Sequence, residues 1–273
     1  MRTSAALLRT PTRAGRFRAG RAVAGMHIVI TGASSGVGRA AALELAGQGA
    51  RVYLVARRGD ELELVRKQIV EKGGEAACFA ADLSVPDEVD RVVGWLSEVP
   101  VDVLVNNAAR SIRRPVTESL DRFHDYERTM AINYFGAVRL TLGVLPGMLA
   151  RGSGHLVNVG TWGVGFETSP YFSAYLGSKA ALVAFGRCLD AELGPRGVTT
   201  TAVNFPAVRT PMLAPTAHYA KLPALTPEQA AGWIVTAVRK RPVRMEPYAV
   251  HVIRVVSLFS PRGAARMLLR FGM

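Results

Sequence analysis

Two side chains between Ser173 and Lys179 have types and a spacing suited to acid–base chemistry. Tyr175 and Lys179 stand four residues apart, so on a helix both leave the same face, one turn above the other. A phenol has a pKa near ~10, but a neighbouring ammonium group favours the phenolate and lowers that pKa. Tyr175 would then exchange a proton with a carbonyl or alcohol oxygen. The alternative is an exposed helix that carries this pair by chance, and the rest of the chain must decide between the two.

The chain around this stretch alternates short apolar runs with helical patterns. Helices are expected between successive strands, with a long one over about 119–150 and another after Pro227. The predicted strands are 27–31, 51–56, 76–81, 101–106, 154–159 and 198–204. Strands separated by helices form a parallel sheet covered on both faces. We therefore predict an α/β fold, with a doubly wound parallel sheet in three α/β/α layers and a single domain.

Charge divides the 273 residues into three segments. Residues 26–235 hold 20 basic and 20 acidic side chains, whereas 1–25 hold six arginines and no acid, and 236–273 hold eight basic residues against Glu246. The net charge of +13 therefore belongs to the two ends, and we expect no nucleic-acid partner. We assign 1–25 to a disordered basic segment, 26–245 to the domain, and 246–273 to an amphipathic helical extension. We expect a cytoplasmic protein without a membrane-spanning segment, because no run of 18 apolar residues occurs.

A glycine-rich turn, TGASSGVG at 31–38, follows the first predicted strand and opens its helix. Glycines let backbone amides approach a pyrophosphate, and the helix N-terminus adds the positive end of a dipole. The spacing differs from G-x-G-x-x-G, but the order of strand, turn and helix is the context that such a motif requires. The residues expected to contact a dinucleotide are Gly32, Ser34, Ser35, Gly36, Val37 and Gly38.

The end of the second predicted strand indicates which dinucleotide is bound. A carboxylate there would accept a hydrogen bond from the ribose 2′-hydroxyl of NAD, whereas arginine suits a 2′-phosphate. Arg57 and Arg58 occupy this place, and Asp60 follows only later. The sequence therefore favours NADP over NAD. The alternative is that the two arginines form a solvated turn.

Five motifs in this order and spacing resemble the short-chain dehydrogenase/reductase family. They are TGASSGVG, ADL at 81–83, NNAA at 106–109, Asn133 on the long helix, and Tyr175-x-x-x-Lys179. The resemblance covers about residues 26–240 and implies a single Rossmann-type domain that binds NADP, which places the NADP-binding domain at 26–245. It also implies an oxidoreductase acting on carbonyl or alcohol groups, assembled as a homodimer or homotetramer.

The resemblance assigns roles to the residues of these motifs. Tyr175 would be the general acid/base, and Lys179 would lower its pKa and hold the nicotinamide ribose. Asn133 would help a water chain reach Lys179, unless it is a polar residue satisfied inside a helix kink. The motif residues expected along the cofactor are Asp82 and Leu83, near the adenine, and Asn106 to Ala108, along the cleft.

One departure from the family pattern concerns the substrate oxygen. The family usually has a serine after the fifth strand, but the sequence VNVGTWG puts Gly160 and Thr161 there. Thr161 keeps a hydroxyl that can donate the same hydrogen bond, although its methyl group narrows the site. Ser169 or Ser173 could take this role instead.

The segment 205–231 is rich in proline and apolar residues, which suits a substrate lid. With the stretch FSAYLGSKAAL it resembles the reductase domain of bacterial fatty acyl-CoA and fatty aldehyde reductases. That resemblance implies a long-chain acyl or aldehyde substrate, and contacts of Pro206, Val208 and Thr210 with the nicotinamide end. The alternatives are a 3-oxoacyl or steroid/retinoid-type ketone reductase, or a catalytically silent domain that senses NADP.

The tail differs from an ordinary family member. Residues 248–259 are almost entirely apolar, and Arg262, Arg266 and Arg270 then recur every four residues. Such a helix could lie in a membrane interface, cap a neighbouring subunit or cover the substrate tunnel. The five histidines are scattered, His251 among them, and we expect no metal.

Overall fold

Seven parallel strands form one sheet in the computed structural model, which describes residues 20–213 and 223–270. The strands are β1 (His27–Thr31), β2 (Arg51–Ala56), β3 (Glu75–Ala80), β4 (Val103–Asn106), β5 (Gly154–Thr161), β6 (Val198–Phe205) and β7 (Arg244–Met245). Their spatial order is β3-β2-β1-β4-β5-β6-β7. The direction of winding therefore reverses between β1 and β4, and the carboxyl ends of these two strands flank the crevice where such folds bind ligands.

Ten α-helices connect and cover the strands in the described residues. They are α1 (Gly36–Gly47), α2 (Gly59–Glu71), α3 (Pro86–Trp95), α4 (Phe123–Met130), α5 (Ala137–Ala150), α6 (Trp162–Phe166), α7 (Ser173–Leu193), α8 (Pro227–Lys240), α9 (Tyr248–Phe259) and α10 (Pro261–Arg270). Leu45 of α1 and Ile234 of α8 are buried in the core on one face of the sheet, and Val92 of α3 and Leu140 of α5 in the core on the other. The predicted three-layer fold is confirmed.

The six predicted strands all form, with ends that move by no more than two residues. The short strand β7 was not predicted, because two residues are too few for a pattern of alternation. It pairs with Ala202 and Val203 at the end of the sheet.

The long predicted helix over 119–150 is divided by one wide π-helical turn at Ala131–Gly136, between α4 and α5. Position 136 of this turn requires glycine, because a Cβ atom there would overlap the carbonyl oxygen of Leu83. The whole stretch Phe123–Ala150 is long and apolar enough to cross a membrane by length and composition. A helix in the core of a folded domain passes the same test, and Leu140 and Met148 are fully buried.

The packed part of the chain begins before the predicted boundary at residue 26. Val23 is 3% exposed and belongs to the core that α1 and α8 share. The backbone N–H of Arg21 donates to the carbonyl of Arg239, 3.0 Å away. Residues 20–25 therefore join the domain, while residues 1–19 of the predicted disordered segment lie outside the described residues.

Candidate active site

A cavity of about 950 Å³ opens at the carboxyl ends of the strands. Its wall combines the turn between β1 and α1, the end of β2, the loop after β4, the end of β5, the start of α7, and the segment after β6. It includes residues of α9 and α10 as well. Sequence-distant segments thus meet at the switch point of the sheet.

The glycine-rich turn forms one end of this cavity. Gly32 has φ +67°, and a Cβ atom there would come within 2.9 Å of the backbone of Ala108. Any side chain at this position would prevent the ends of β1 and β4 from lying this close together. Gly38 does not line the cavity: a Cβ atom there would overlap the carbonyl of Gly32, so Gly38 lets α1 pack against the turn.

The two arginines after β2 also lie at this end. Arg58 donates to the hydroxyls of Ser34 and Ser35, at 3.3 and 2.9 Å, and pairs with Glu61 at 2.7 Å. Ser35 makes no side-chain cap to α1, and Gly36 and Val37 of the first turn of that helix line the cavity. Arg57 is 3.6 Å from Asp82.

Asp82 and Leu83, which the family resemblance places near the adenine, both lie in the cavity wall. Burial alone would raise the pKa of Asp82, but hydrogen bonds from Ser84 and the charge of Arg57 outweigh burial and hold it below its ordinary value. The side-chain Oδ1 accepts from the Ser84 hydroxyl at 2.6 Å and from its backbone N–H at 2.9 Å. This carboxylate is therefore charged and fixed in place.

The last residue of β4 corrects one part of the predicted range Asn106 to Ala108. Asn106 is 2% exposed, does not line the cavity, and donates inside the core to Asn158 and Thr141. The next residue, Asn107, lines the cavity together with Ala108, and its Nδ2 donates to the carbonyl of Thr31 at 2.8 Å. Successive side chains of an extended chain point to opposite sides. The side chain of Asn106 therefore lies in the core, and that of Asn107 lies at the cavity.

Tyr175 and Lys179 line the middle of the cavity from the first turns of α7. Burial raises the pKa of Tyr175 to about 12 and lowers the pKa of Lys179 to about 7. The direction for Tyr175 is opposite to the lowering predicted from the lysine charge, since burial of the phenol dominates. Lys179 is 1% exposed and its Nζ donates to the carbonyl of Val159 at 2.8 Å.

Asn133 lies in the π-helical turn, and its side chain makes three hydrogen bonds. Its Oδ1 accepts from the backbone N–H of Arg110 at 2.8 Å, and its Nδ2 donates to the Arg110 carbonyl and the Ser178 hydroxyl, both at 2.9 Å. Ser178 precedes Lys179, so Asn133 ties the loop after β4 to α7. Its side chain does not line the cavity, which fits the kink alternative.

Thr161 lies at the end of β5 and lines the cavity. Its Oγ1 accepts from the backbone N–H of Gly163 at 3.5 Å, and within the described residues its O–H proton has no acceptor. Ser169 also lines the cavity, whereas Ser173 faces away and shares a hydrogen bond with the Tyr126 hydroxyl at 2.8 Å. Thr161 and Ser169 thus remain candidates to hold a substrate oxygen, whereas Ser173 is no longer a candidate.

The far end of the cavity is apolar. Trp162 and Phe166 of α6 and Phe172 at the start of α7 line it. The tail helices complete it, with lining residues Ala249, Ile253, Met267 and Leu268. Val250, Leu268 and Phe166 form a small buried cluster that fixes the tail on α6. Of the alternatives for the tail, the structure shows a cover over this end of the cavity.

A buried carboxylate also holds the tail. Glu246 is 2% exposed and accepts from Asn204 of β6 at 3.1 Å and from Arg254 of α9 at 3.2 Å. Removing one partner of such a pair would leave a buried charge without compensation. Glu246 therefore connects the end of the sheet to the first tail helix.

The arrangement around the glycine turn fits a dinucleotide. Uncapped helix amides, two arginines and the fixed carboxylate of Asp82 surround a cleft that glycine keeps open. Pro206, Val208 and Thr210 line the cavity from the segment after β6, and Thr210 lies against Gly36. Residues 20–213 and 223–270 contain no group of three His, Cys, Asp or Glu side chains that could hold a metal ion.

Comparison with known proteins decides the family. The family description short chain dehydrogenase matches residues 26–220. The chain belongs to the short-chain dehydrogenase/reductase family. It is therefore an oxidoreductase that acts on carbonyl or alcohol groups.

Relatives of this short-chain dehydrogenase/reductase carry more specific names. It is 47% identical over 248 residues to a fatty acyl-CoA reductase of Mycobacterium tuberculosis, covering 90% of this chain and 84% of that protein. It is 48% identical over 238 residues to a fatty acyl-CoA reductase of Acinetobacter baylyi, covering 86% and 79%. Among solved structures, L-sorbose reductase of Gluconobacter frateurii in complex with NADPH and L-sorbose has a TM-score of 0.71 at 28% identity, covering 80% of this chain and 91% of that one.

The structure thus brings most of the predicted residues to one cavity and adds others that the sequence did not single out. The added residues include Arg110, Arg113, Trp162, Phe166, Ala249, Ile253, Met267 and Leu268. The sequence carried a signal for Ala249 and Ile253, because the segment 248–259 is unusually apolar for a surface segment. No signal marked Arg110 and Arg113, because arginines in a loop are ordinarily solvated.

Proposed function

We propose that this enzyme is an NADP-dependent reductase that acts on the carbonyl of a long-chain fatty acyl thioester or fatty aldehyde. The observation that carries the proposal is the continuity of the cavity, which runs from the arginine end past Tyr175 to an apolar end walled by the tail. An alkyl chain has no group that forms hydrogen bonds. Its transfer from water is favourable where apolar side chains form the wall, because apolar surface is then removed from water.

Arg57 and Arg58 support NADP as the cofactor. Both already have carboxylate partners at 3.6 and 2.7 Å, so a 2′-phosphate would join an ordered network of charges. The NADPH bound to the related sorbose reductase is a second support. The nicotinamide, when bound, supplies the hydride that reduces the carbonyl.

The chain's own residues would handle the proton and the carbonyl oxygen. At neutral pH a phenol with a pKa of about 12 is protonated, so Tyr175 can donate its proton to the oxygen as the carbonyl is reduced. The Thr161 O–H lies in the same cavity and can donate a second hydrogen bond to that oxygen. Positive charge on Lys179 would then favour the phenolate that Tyr175 becomes.

The test is a panel of substrates with NADPH, followed through loss of NADPH absorbance. Acyl-CoA thioesters and aldehydes of increasing chain length should be turned over with KM falling as the chain grows. The variant Tyr175→Phe should lose turnover and keep its NADPH affinity within a few-fold, because only the transferable proton is removed. Turnover of 3-oxoacyl or steroid ketones alone would favour the ketone reductase alternative. NADPH binding without turnover of any substrate would favour a sensor.

We propose further that the enzyme is cytoplasmic and contacts membranes reversibly through the outer face of the tail. That face leaves Leu258 76% and Phe259 87% exposed, and Val252 and Val255 beside them. Arg262, Arg266 and Arg270 are exposed on α10 or at its end, with no acid after Glu246. Arginines near an anionic surface contribute about 1 kcal/mol each, and the apolar side chains add to this by burial.

Truncation of the tail would also remove part of the cavity wall, so surface substitutions are the sharper test. Leu258→Ser with Phe259→Ser should abolish sedimentation with acidic vesicles and leave turnover of a short soluble aldehyde unchanged. Binding by the unmodified protein should weaken at high salt, because attraction between surface charges is screened. If the double variant instead changes the oligomer size in light scattering and vesicle binding stays the same, the face is a subunit contact.

A further inference from the structure

Two arginines line the cavity and have no role in the chemistry described above. Arg110 is half-buried and Arg113 is exposed, and both belong to the loop after β4. This loop is separate from the segment of Arg57 and Arg58, and it contacts Tyr171, four residues before Tyr175. An exposed residue that also lines a cavity lies at its mouth.

The loop is fixed at both arginines. Asn133 holds the backbone N–H and carbonyl of Arg110, at 2.8 and 2.9 Å. The backbone N–H of Arg114 donates to the carbonyl of Tyr171 at 2.7 Å, and the Arg113 guanidinium lies 4.5 Å from the centre of the Tyr171 ring. Tyr171 has φ +68°, a backbone conformation that costs free energy in a tyrosine and persists only where its surroundings require it. The guanidinium of Arg113 is therefore in contact with the Tyr171 ring in the absence of a ligand.

The positive charge of this pair is not neutralised by the protein. Within residues 20–213 and 223–270 neither Arg110 nor Arg113 lies within ion-pair distance of a carboxylate, and the segments 1–19 and 214–222 contain no Asp or Glu. The nearby Asp125 is already shared by Arg114, Arg122 and Arg128. Arg57 and Arg58, by contrast, each have an acidic partner.

We propose that Arg110 and Arg113 form a subsite for the phosphate groups of the coenzyme A part of an acyl thioester. The inference rests on the proposed function, since it names the form in which the acyl chain is delivered. Guanidinium groups match phosphate geometry and stay charged at every pH of interest. A neutral fatty aldehyde offers them nothing, so the subsite distinguishes the thioester from an aldehyde of the same chain length.

The experiment compares two substrates in matched variants. The KM for a long-chain acyl-CoA should rise about ten-fold or more in Arg113→Gln and further in the double variant with Arg110→Gln. The KM for the aldehyde of equal length and the Kd for NADPH should change less than about two-fold. Arg113→Lys should recover part of the loss, because it keeps the charge. The control is Arg187→Gln, an exposed arginine on α7 that does not line the cavity.

A second measurement does not depend on turnover. Coenzyme A itself, titrated calorimetrically into the protein with NADPH, should bind more weakly in the double variant, and the salt dependence of its Kd should become shallower. Equal losses for acyl-CoA and aldehyde, or a comparable loss of NADPH affinity, would overturn the subsite and assign the arginines to loop structure or to the cofactor. An unmodified protein that does not bind coenzyme A would overturn it as well. Failure of the proposed function is a different result, namely no turnover of any long-chain substrate.

Discussion

Burial of Lys179 makes the stability of this protein depend on pH in a direction that can be calculated. The pKa of Lys179 falls from 10.5 to about 7 because its side chain is 1% exposed. Between these two pH values the unfolded lysine holds a proton that the folded lysine has released. Since the unfolded state then binds more protons, the free energy of unfolding rises with pH across this range.

The size of the effect follows from the shift. Each pKa unit corresponds to about 1.36 kcal/mol, so the shift of Lys179 corresponds to about 5 kcal/mol of unfolding free energy between pH 7 and pH 10.5. Below pH 7 the buried ammonium lowers stability by this full amount, and above pH 10.5 the cost is gone. Tyr175 acts oppositely, but only above pH 10, because burial raises its pKa from 10.0 to about 12.

The perturbation is Lys179→Met, measured by urea unfolding without added nucleotide at half-unit steps from pH 6.5 to 9.5. The unmodified protein should gain several kcal/mol over this range, and Lys179→Met should lose most of that slope. At pH 7 the variant should be the more stable of the two. Its gain in unfolding free energy should be smaller by about 1 kcal/mol, because it lacks the hydrogen bond to the Val159 carbonyl. The exposed lysine variant Lys67→Met should keep the slope. Equal slopes in the unmodified protein and Lys179→Met would refute the reasoning that burial shifts the pKa of Lys179.

Three further predictions follow from the site. Thr161→Ser should keep kcat within about three-fold while Thr161→Val lowers it at least ten-fold, because only the valine lacks the O–H; equal rates would transfer the role to Ser169. Replacing both Arg57 and Arg58 by Ala should weaken NADPH at least ten-fold in a fluorescence titration and leave NADH nearly unchanged, and a preference of the unmodified protein for NADH would contradict the assignment. Gly136→Ala should lower the free energy of unfolding by about 1–3 kcal/mol, because the added methyl group would overlap the Leu83 carbonyl. The control variant Gly232→Ala, on α8 with open space around it, should raise the free energy of unfolding slightly. Similar effects at both sites would contradict the crowding argument.

Local patterns in the sequence were sufficient for most of the elements and for placing Tyr175 and Lys179 one turn apart on the same helix. A buried parallel strand must be a short apolar run, and a helix between strands must turn an apolar face to the sheet, so both leave a periodic pattern. The glycine turn and the two arginines after β2 could be located because they adjoin such elements. What a pattern cannot give is the side of the chain that faces a cavity. For that reason the predicted range Asn106 to Ala108 included Asn106, although only Asn107 and Ala108 line the wall.

Only the tertiary structure decided the environment of the reactive groups and the far end of the site. The pKa of Tyr175 moves upward because of burial among residues from several segments, and the spacing of one lysine cannot report that. The tail was readable as helix, but its place over the cavity depends on Val250 and Leu268 packing with Phe166 and on Glu246 joining Asn204 to Arg254. Most of these contacts join residues that are tens to a hundred positions apart. The sequence determines them through the free energy of the whole fold, and no local spacing records them.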